Sequence, residues 1–280
     1  MPNLPFELNN PSGDLIRANL HLPEGTSGPH PLTVICHGFK SFKDWGFHPF
    51  LAESIAAAGI AALRFDFSHN GVGEDLETFG ELDKFRRNTF AKEIEDLNTV
   101  LGKVSDGTVP ESGCLDKNRI ATLGHSRGNA ASVLVGTKDT RVKTLVAWAG
   151  ISTVDRFDEL TVQEWRNNGV HYIPNLRTGQ QMPMDLCVLE DVEANREAYD
   201  MLATVQTLEK PYLVVHGDED ETVPFEEGSF LHDHTPRGIR KLQIVPGAGH
   251  TFGAKHPFEG SNENLDEAIR VTIEWLKARL

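Results

Sequence analysis

Residues Ile120 to Ala131 read IATLGHSRGNAA. A β-branched and apolar run enters a Gly-X-Ser-X-Gly turn and leaves in small residues, which is the order of strand, sharp turn and helix that lifts a serine hydroxyl above a parallel sheet. Ser126 is the candidate nucleophile. Gly124 and Gly128 flank it where a Cβ would crowd the neighbouring strand or helix. The competing reading is a tight strand-to-helix turn with a capping serine, and the flanking chain decides between the two.

Working outward, Thr144 to Trp148 is a second buried strand beyond the small-residue helix Arg127 to Gly136. On the amino-terminal side, Leu32 to Cys36 is a continuous apolar run of the kind buried on both faces, closed by His37-Gly38. Pro49 to Ala58 has helical spacing and stops at Gly59, and Ile60 to Phe67 returns to a strand, giving a unit of the parallel kind. Phe85 to Val104 reads as one long helix. Before these, Phe6 to Leu8 and Leu15 to Leu22 alternate across a cluster of turn residues, as in an antiparallel hairpin. Past Trp148 the alternation stops for residues 151–209, too long for an ordinary connection, and this segment is expected to be an inserted cap or lid. Pro211 to His216 resumes the strand pattern, followed by helix Phe225 to His232, strand Lys241 to Val245 and helix Glu263 to Leu280. The fold class is α/β: a doubly wound, mostly parallel sheet with an N-terminal antiparallel hairpin, residues 1–150 and 210–280 forming the core.

Composition narrows the function. The 280 residues are 39% apolar and 8% aromatic, ordinary for a folded chain, and 27 basic against 41 acidic residues leave a net charge of −14. That charge repels phosphate backbones and anionic membrane surfaces, so neither nucleic acid nor membrane is expected as a partner. The first thirty residues show no leader pattern and no apolar run is long enough to span a bilayer, so a cytoplasmic location is expected. Cys36, Cys114 and Cys187 form no C-x-x-C pair, and neither a disulfide framework nor a metal site is expected of them.

A serine at its ordinary pKa needs a base within hydrogen-bond reach, itself oriented by a carboxylate. The strand ending at His216 runs into HGDEDETVP, which puts Asp218 and Asp220 just past its carboxyl end, where ligands gather in open parallel sheets. The last strand ends in Pro246-Gly247-Ala248-Gly249-His250 at the same edge. The chain order Ser126, Asp220, His250 suits a hydrolase of this architecture.

With these motifs the chain resembles the α/β-hydrolase superfamily over nearly its whole length: His-Gly after the third strand, the GHSRG turn, the HGDEDETVP loop and the GAGH ending. The resemblance implies that Asp220, fifth in its motif, is the acid, with Asp218 the competing choice. It also implies an oxyanion hole made by the backbone N–H groups of Phe39 and Arg127. His37 competes with His250 as base but is better read as part of the His-Gly turn. In length and position the insertion is similar to the cap of bacterial cinnamoyl and feruloyl esterases. Those caps differ in sequence, and RTGQQMPMD contains no residue that specifies a phenolic acid.

Trp165, Tyr172, Ile173, Met182 and Met184 give the insertion apolar surface, and all but Ile173 are set down as candidate substrate contacts beside the reading that they fasten the cap to the sheet. The Arg127 side chain could reach a substrate carboxylate, but a surface ion pair is the expectation, and His232-Asp233-His234 is expected in a solvated helix end rather than a metal site. The resulting expectation is a serine esterase acting on small-molecule carboxylic esters without a cofactor. A peptidase using the same triad is one rival, left open by Glu159, Glu164 and Asp185; a non-catalytic binding protein on a hydrolase scaffold is the other.

Overall fold

In the computed structural model, which describes residues 2–25, 28–75 and 78–280, the strands on either side of the serine turn form the middle of one eight-stranded sheet. Strands β1 (Asn3–Asn9), β2 (Leu15–His21) and β3 (His30–Cys36) precede helix α1 (His48–Ala57) and strand β4 (Ala61–Phe65). Helices α2 (Leu82–Phe85) and α3 (Phe90–Asp106) lead to β5 (Leu115–His125), α4 (Gly128–Gly136) and β6 (Val142–Trp148). The segment after β6 holds α5 (Glu159–Asn168), the hairpin β7 (Val170–Pro174) and β8 (Gln181–Asp185), α6 (Leu186–Ala194) and α7 (Met201–Gln206). Strand β9 (Tyr212–Gly217), α8 (Phe225–His234), β10 (Arg240–Val245) and α9 (Glu263–Arg279) complete the chain.

The sheet order is β1-β2-β4-β3-β5-β6-β9-β10, antiparallel from β1 to β4 and parallel from β4 to β10. This is the α/β-hydrolase arrangement with its N-terminal antiparallel strands. Successive residues of a strand point to opposite faces, and the central strands carry apolar residues toward both. Val34, Leu145 and Ala147 face α3, α4, α7 and α8, whereas Ile35, Leu123 and Val146 face α1 and α9. The two tryptophans on the second face are also satisfied as donors. Trp148 donates to Thr272 Oγ1 at 2.9 Å and Trp275 to Thr144 Oγ1 at 2.8 Å, locking α9 onto β6.

Two boundaries differ most from the sequence expectation. The helix from Phe85 to Val104 is broken, because the Thr89 hydroxyl accepts the Lys92 N–H and starts a new helix at Phe90. This frees Phe85 to pack into the apolar cluster above the sheet. The serine strand also begins at Leu115 rather than Arg119, since Leu115 pairs with His30.

The segment after β6 divides between two packing partners. Trp165, Met182, Met184, Val188 and Leu189 join Phe42 and Phe85 in one cluster, over the loops that follow β3 and β4. Gln180 fastens the hairpin there, its side chain accepting from Phe79 N and donating to Phe79 O, both at 3.0 Å. Met201 and Val205 of α7 pack instead with the helices of the main layer.

Candidate active site

The serine turn is as tight as its glycines imply. A Cβ on Gly128 would stand 2.4 Å from the carbonyl oxygens of Cys36 and His37, and one on Gly124 would stand 2.5 Å from Gly128 O. Between them Ser126 has φ of 55°, a left-handed conformation that costs a non-glycine residue about 1–3 kcal/mol and is tolerated where the surroundings over-determine it. Here Ser126 N donates to Trp148 O at 2.9 Å, and Ser126 O accepts from Asn129 N at 3.1 Å. Gly38 lets the loop after β3 come close, its missing Cβ leaving room for that of Ser126.

Phe39 of that loop and Arg127 border one cavity with Ser126. Among the described residues, neither the Phe39 N–H nor the Arg127 N–H has a protein acceptor. Arg127 immediately precedes α4, so its N–H is one of the free donors at the positive end of a helix. Unpaired, pre-placed N–H groups of this kind can receive charge that develops on an oxygen.

His250 and Asp220 meet at the same edge. Asp220 Oδ2 accepts from His250 Nδ1 at 2.8 Å, and Asp220 Oδ1 accepts the N–H groups of Thr222 and Val223, both at 2.9 Å. His216 Nε2 stands 3.3 Å from Asp220 Oδ2 and 2.9 Å from Val223 O. With two acceptors before it, that nitrogen must carry a proton. Burial would raise the Asp220 carboxyl, but hydrogen bonds from His216 and His250 outweigh it and hold the group well below the usual carboxylate range. The competing acid, Asp218, is occupied elsewhere, accepting Gly247 N at 2.6 Å.

Ser126 is 8% exposed, and among the described residues no hydrogen bond joins its hydroxyl to His250. The His250–Asp220 pair is formed, and in structures without substrate a hydrogen bond from a serine hydroxyl to such a histidine is often long and tightens only with substrate in place. A residue with no part in the sequence reading helps hold His250. His125 Nε2 donates to the His250 carbonyl at 3.1 Å, and burial, with the charge of His250, keeps its ring neutral. Its position inside GHSRG was the available signal.

His37 is structural. Its Nδ1 donates to Gly38 O at 2.8 Å and its Nε2 accepts from Phe67 N at 3.1 Å, while burial lowers its pKa to about 4.

A cavity of about 260 Å³ opens on Ser126. Phe39, Phe90, Ile151, Phe157, Ile173 and Met184 supply its apolar walls. Of the four candidate substrate contacts, Met184 lines it. Trp165 and Met182 are fully buried in the adjoining apolar cluster, and Tyr172 is half exposed outside the lining. Phe157 and Ile151 escape the sequence reading because they come from loops, where periodicity carries no information, and helical spacing places Phe90 on an apolar face without marking it as a cavity residue.

The Arg127 side chain corrects one expectation. It is not in a surface ion pair: its Nε donates at 2.8 Å to Glu93, which is 2% exposed, and its guanidinium lies 3.7 Å over the Phe90 ring. At the His232 to His234 end, His232 is bonded to Asp233 and His234 to Phe230 O, both at 2.9 Å.

The family model for the prolyl oligopeptidase family matches residues 82–278, from α2 through the serine turn to the last helix. The chain belongs to the prolyl oligopeptidase family. Its members are α/β hydrolases, and this chain is one. A 31.7 kDa protein of Escherichia coli encoded in the traX-finO intergenic region is similar to it, 24% identical over 95% of this chain and 96% of that protein. Two solved structures share the fold. The α/β hydrolase GrgF from Penicillium sp. sh18 superimposes with a TM-score of 0.71 at 18% identity, covering 100% of this chain and 99% of that one. Est1E from Butyrivibrio proteoclasticus, in a structure with ferulic acid bound, gives 0.67 at 22% identity over 98% and 96%. Among the described residues of this family member, no helix is long and apolar enough to cross a membrane.

Proposed function

We propose that this hydrolase cleaves carboxylic esters of modest size through an acyl-enzyme on Ser126. His250 takes the serine proton as the hydroxyl attacks the carbonyl and returns it to the leaving alcohol. Asp220 orients the imidazole and stabilises its charged form. The N–H groups of Phe39 and Arg127 receive the oxyanion, and water then releases the acid.

The observation that carries the reading is the wall of the cavity on Ser126, which is mostly apolar and contains no carboxylate. An aminopeptidase must pair the charged amino terminus of its substrate, and the three acids that left that option open are placed elsewhere. Asp185 pairs with Arg86 at 2.9 Å, and Glu159 and Glu164 are exposed on α5. A volume of 260 Å³ is below the range of about 300–1,000 Å³ for drug-sized ligands and suits a small acyl group. Est1E, with its bound ferulic acid, is a precedent for an aromatic acid on this fold.

The test compares one acyl group in two linkages, as an aminoacyl p-nitroanilide and the matching p-nitrophenyl ester, with a plain alkanoyl p-nitrophenyl ester alongside. Ester reading expects the plain ester to be turned over at least as well as the aminoacyl substrates. Selective cleavage of the aminoacyl anilide would make the protein a peptidase.

A further inference from the structure

The polar part of the same cavity is unbalanced in sign. Besides Ser126 and Thr222, its polar lining consists of two guanidinium groups, Arg127 and Arg156. The acids that neutralise them, Glu93 and Glu227, are both absent from the lining. A ligand in the cavity therefore meets the cations while their counter-ions stand behind the wall.

The two arginines differ in freedom. Arg127 is committed, with Nε on Glu93, Nη2 on Asn88 O at 3.3 Å and its face on Phe90. Arg156 makes a single protein hydrogen bond among the described residues, from Nη1 to Glu227 Oε2 at 2.8 Å. A guanidinium has five N–H donors in a planar fork, so most of those on Arg156 are available. Nor does Glu227 depend on Arg156 alone, since the same oxygen accepts Ser152 N at 2.7 Å and Ser152 Oγ at 3.2 Å.

We propose that Arg156 selects acyl groups with an apolar body and a terminal carboxylate, making the preferred substrates monoesters of dicarboxylic acids. This rests on the ester reading above and names its substrate class. The methylene chain lies against the phenylalanine and isoleucine walls, the ester carbonyl stands at Ser126, and the far carboxylate takes the open N–H groups of Arg156. Guanidinium suits this role because it pairs with a carboxylate through two parallel hydrogen bonds. The chain as a whole carries −14, so the attraction is local to the cavity and weakens with salt.

The test has two arms. In the first, kcat/KM is measured for monoethyl esters from succinate to suberate and for ethyl alkanoates of equal chain length. At one chain length the wild type favours the monoester by about tenfold or more, and in Arg156→Gln the ratio falls to about one. Arg156→Lys, which keeps the charge, retains part of the preference. In the second arm, free adipate and suberate are titrated calorimetrically into Ser126→Ala and into the same variant carrying Arg156→Gln. The single variant binds a diacid at least about tenfold more tightly than the double one. A wild-type ratio at or below one at every length, or a ratio that Arg156→Gln leaves unchanged, overturns the proposal. So does absence of diacid binding by Ser126→Ala. Turnover of the neutral esters in those cases leaves the ester reading standing, whereas failure to cleave any ester removes that reading and the substrate class with it.

Discussion

Nδ1 of His250 stands 2.8 Å from Oδ2 of Asp220, a residue 30 positions earlier on the neighbouring strand's loop. The carboxylate is fixed from its other side by the N–H groups of Thr222 and Val223, so the imidazole is oriented by a group that cannot itself turn. Replacing Asp220 by Asn keeps the Oδ1 acceptor but presents an amide to His250 Nδ1, favouring the tautomer that cannot take the serine proton. Asp220→Asn should lower kcat on a p-nitrophenyl ester by about 10⁴-fold with circular dichroism unchanged. A loss of less than tenfold would mean that Asp220 does not orient the base.

Gly128 is held against the backbone of the loop after β3, where a Cβ would overlap two carbonyl oxygens at 2.4 Å. Neither oxygen belongs to a flexible side chain, so relief requires the loop or the start of α4 to move. Gly128→Ala is expected to cost more than about 4 kcal/mol, in the class of severe backbone conflicts, measured as loss of soluble protein or a large fall in the urea midpoint. A variant as stable as wild type would show that the turn has room to spare.

The Arg127 side chain neutralises Glu93 in a buried setting. Removing one partner of such a pair strands the other and typically costs about 3–5 kcal/mol. Arg127→Ala should lose stability of that order in urea denaturation, whereas the double variant Arg127→Met, Glu93→Leu should recover most of it. If the single variant lost no stability, the pair would be carrying little of the α3–α4 contact.

Asp96, which accepts Asn10 Nδ2 at 2.8 Å and Ser68 N at 2.7 Å, is raised to about 6, burial outweighing those hydrogen bonds. A carboxyl raised on folding binds its proton more tightly in the native state. Its contribution is therefore most favourable below the ordinary carboxylate value near 4, declines as pH rises toward 6 and is flat above. The stability of wild type relative to Asp96→Asn should fall between about pH 4 and 6 by on the order of 3 kcal/mol. Equal pH dependence of the two proteins would place the titration elsewhere.

The strands and the three polar loops could be read from the chain because each is local: an apolar run closed by GHSRG, HGDED or GAGH carries its own address. Such loops bring Asp218, Asp220 and His250 to one edge of the sheet, and the resemblance to the α/β-hydrolase superfamily singles out Asp220 and nominates Phe39 and Arg127. What could not be read depends on contacts between distant segments. Arg127 and Glu93 are 34 residues apart, and nothing in either neighbourhood marks the pair. The cap residues share one composition, and Met182 and Met184, two apart on β8, lie on one face of the strand in one apolar cluster, so only where the cavity ends along that strand separates them. Arg156 lies in a loop without periodicity, and only its open side toward the cavity distinguishes it from other exposed arginines.

The central claim is that Ser126 is the nucleophile, and the most direct measurement is the turnover of a short-chain p-nitrophenyl ester by Ser126→Ala at matched melting temperature. A fall in kcat of at least about a thousandfold with the fold intact is expected. Undiminished turnover by a folded Ser126→Ala protein would contradict it.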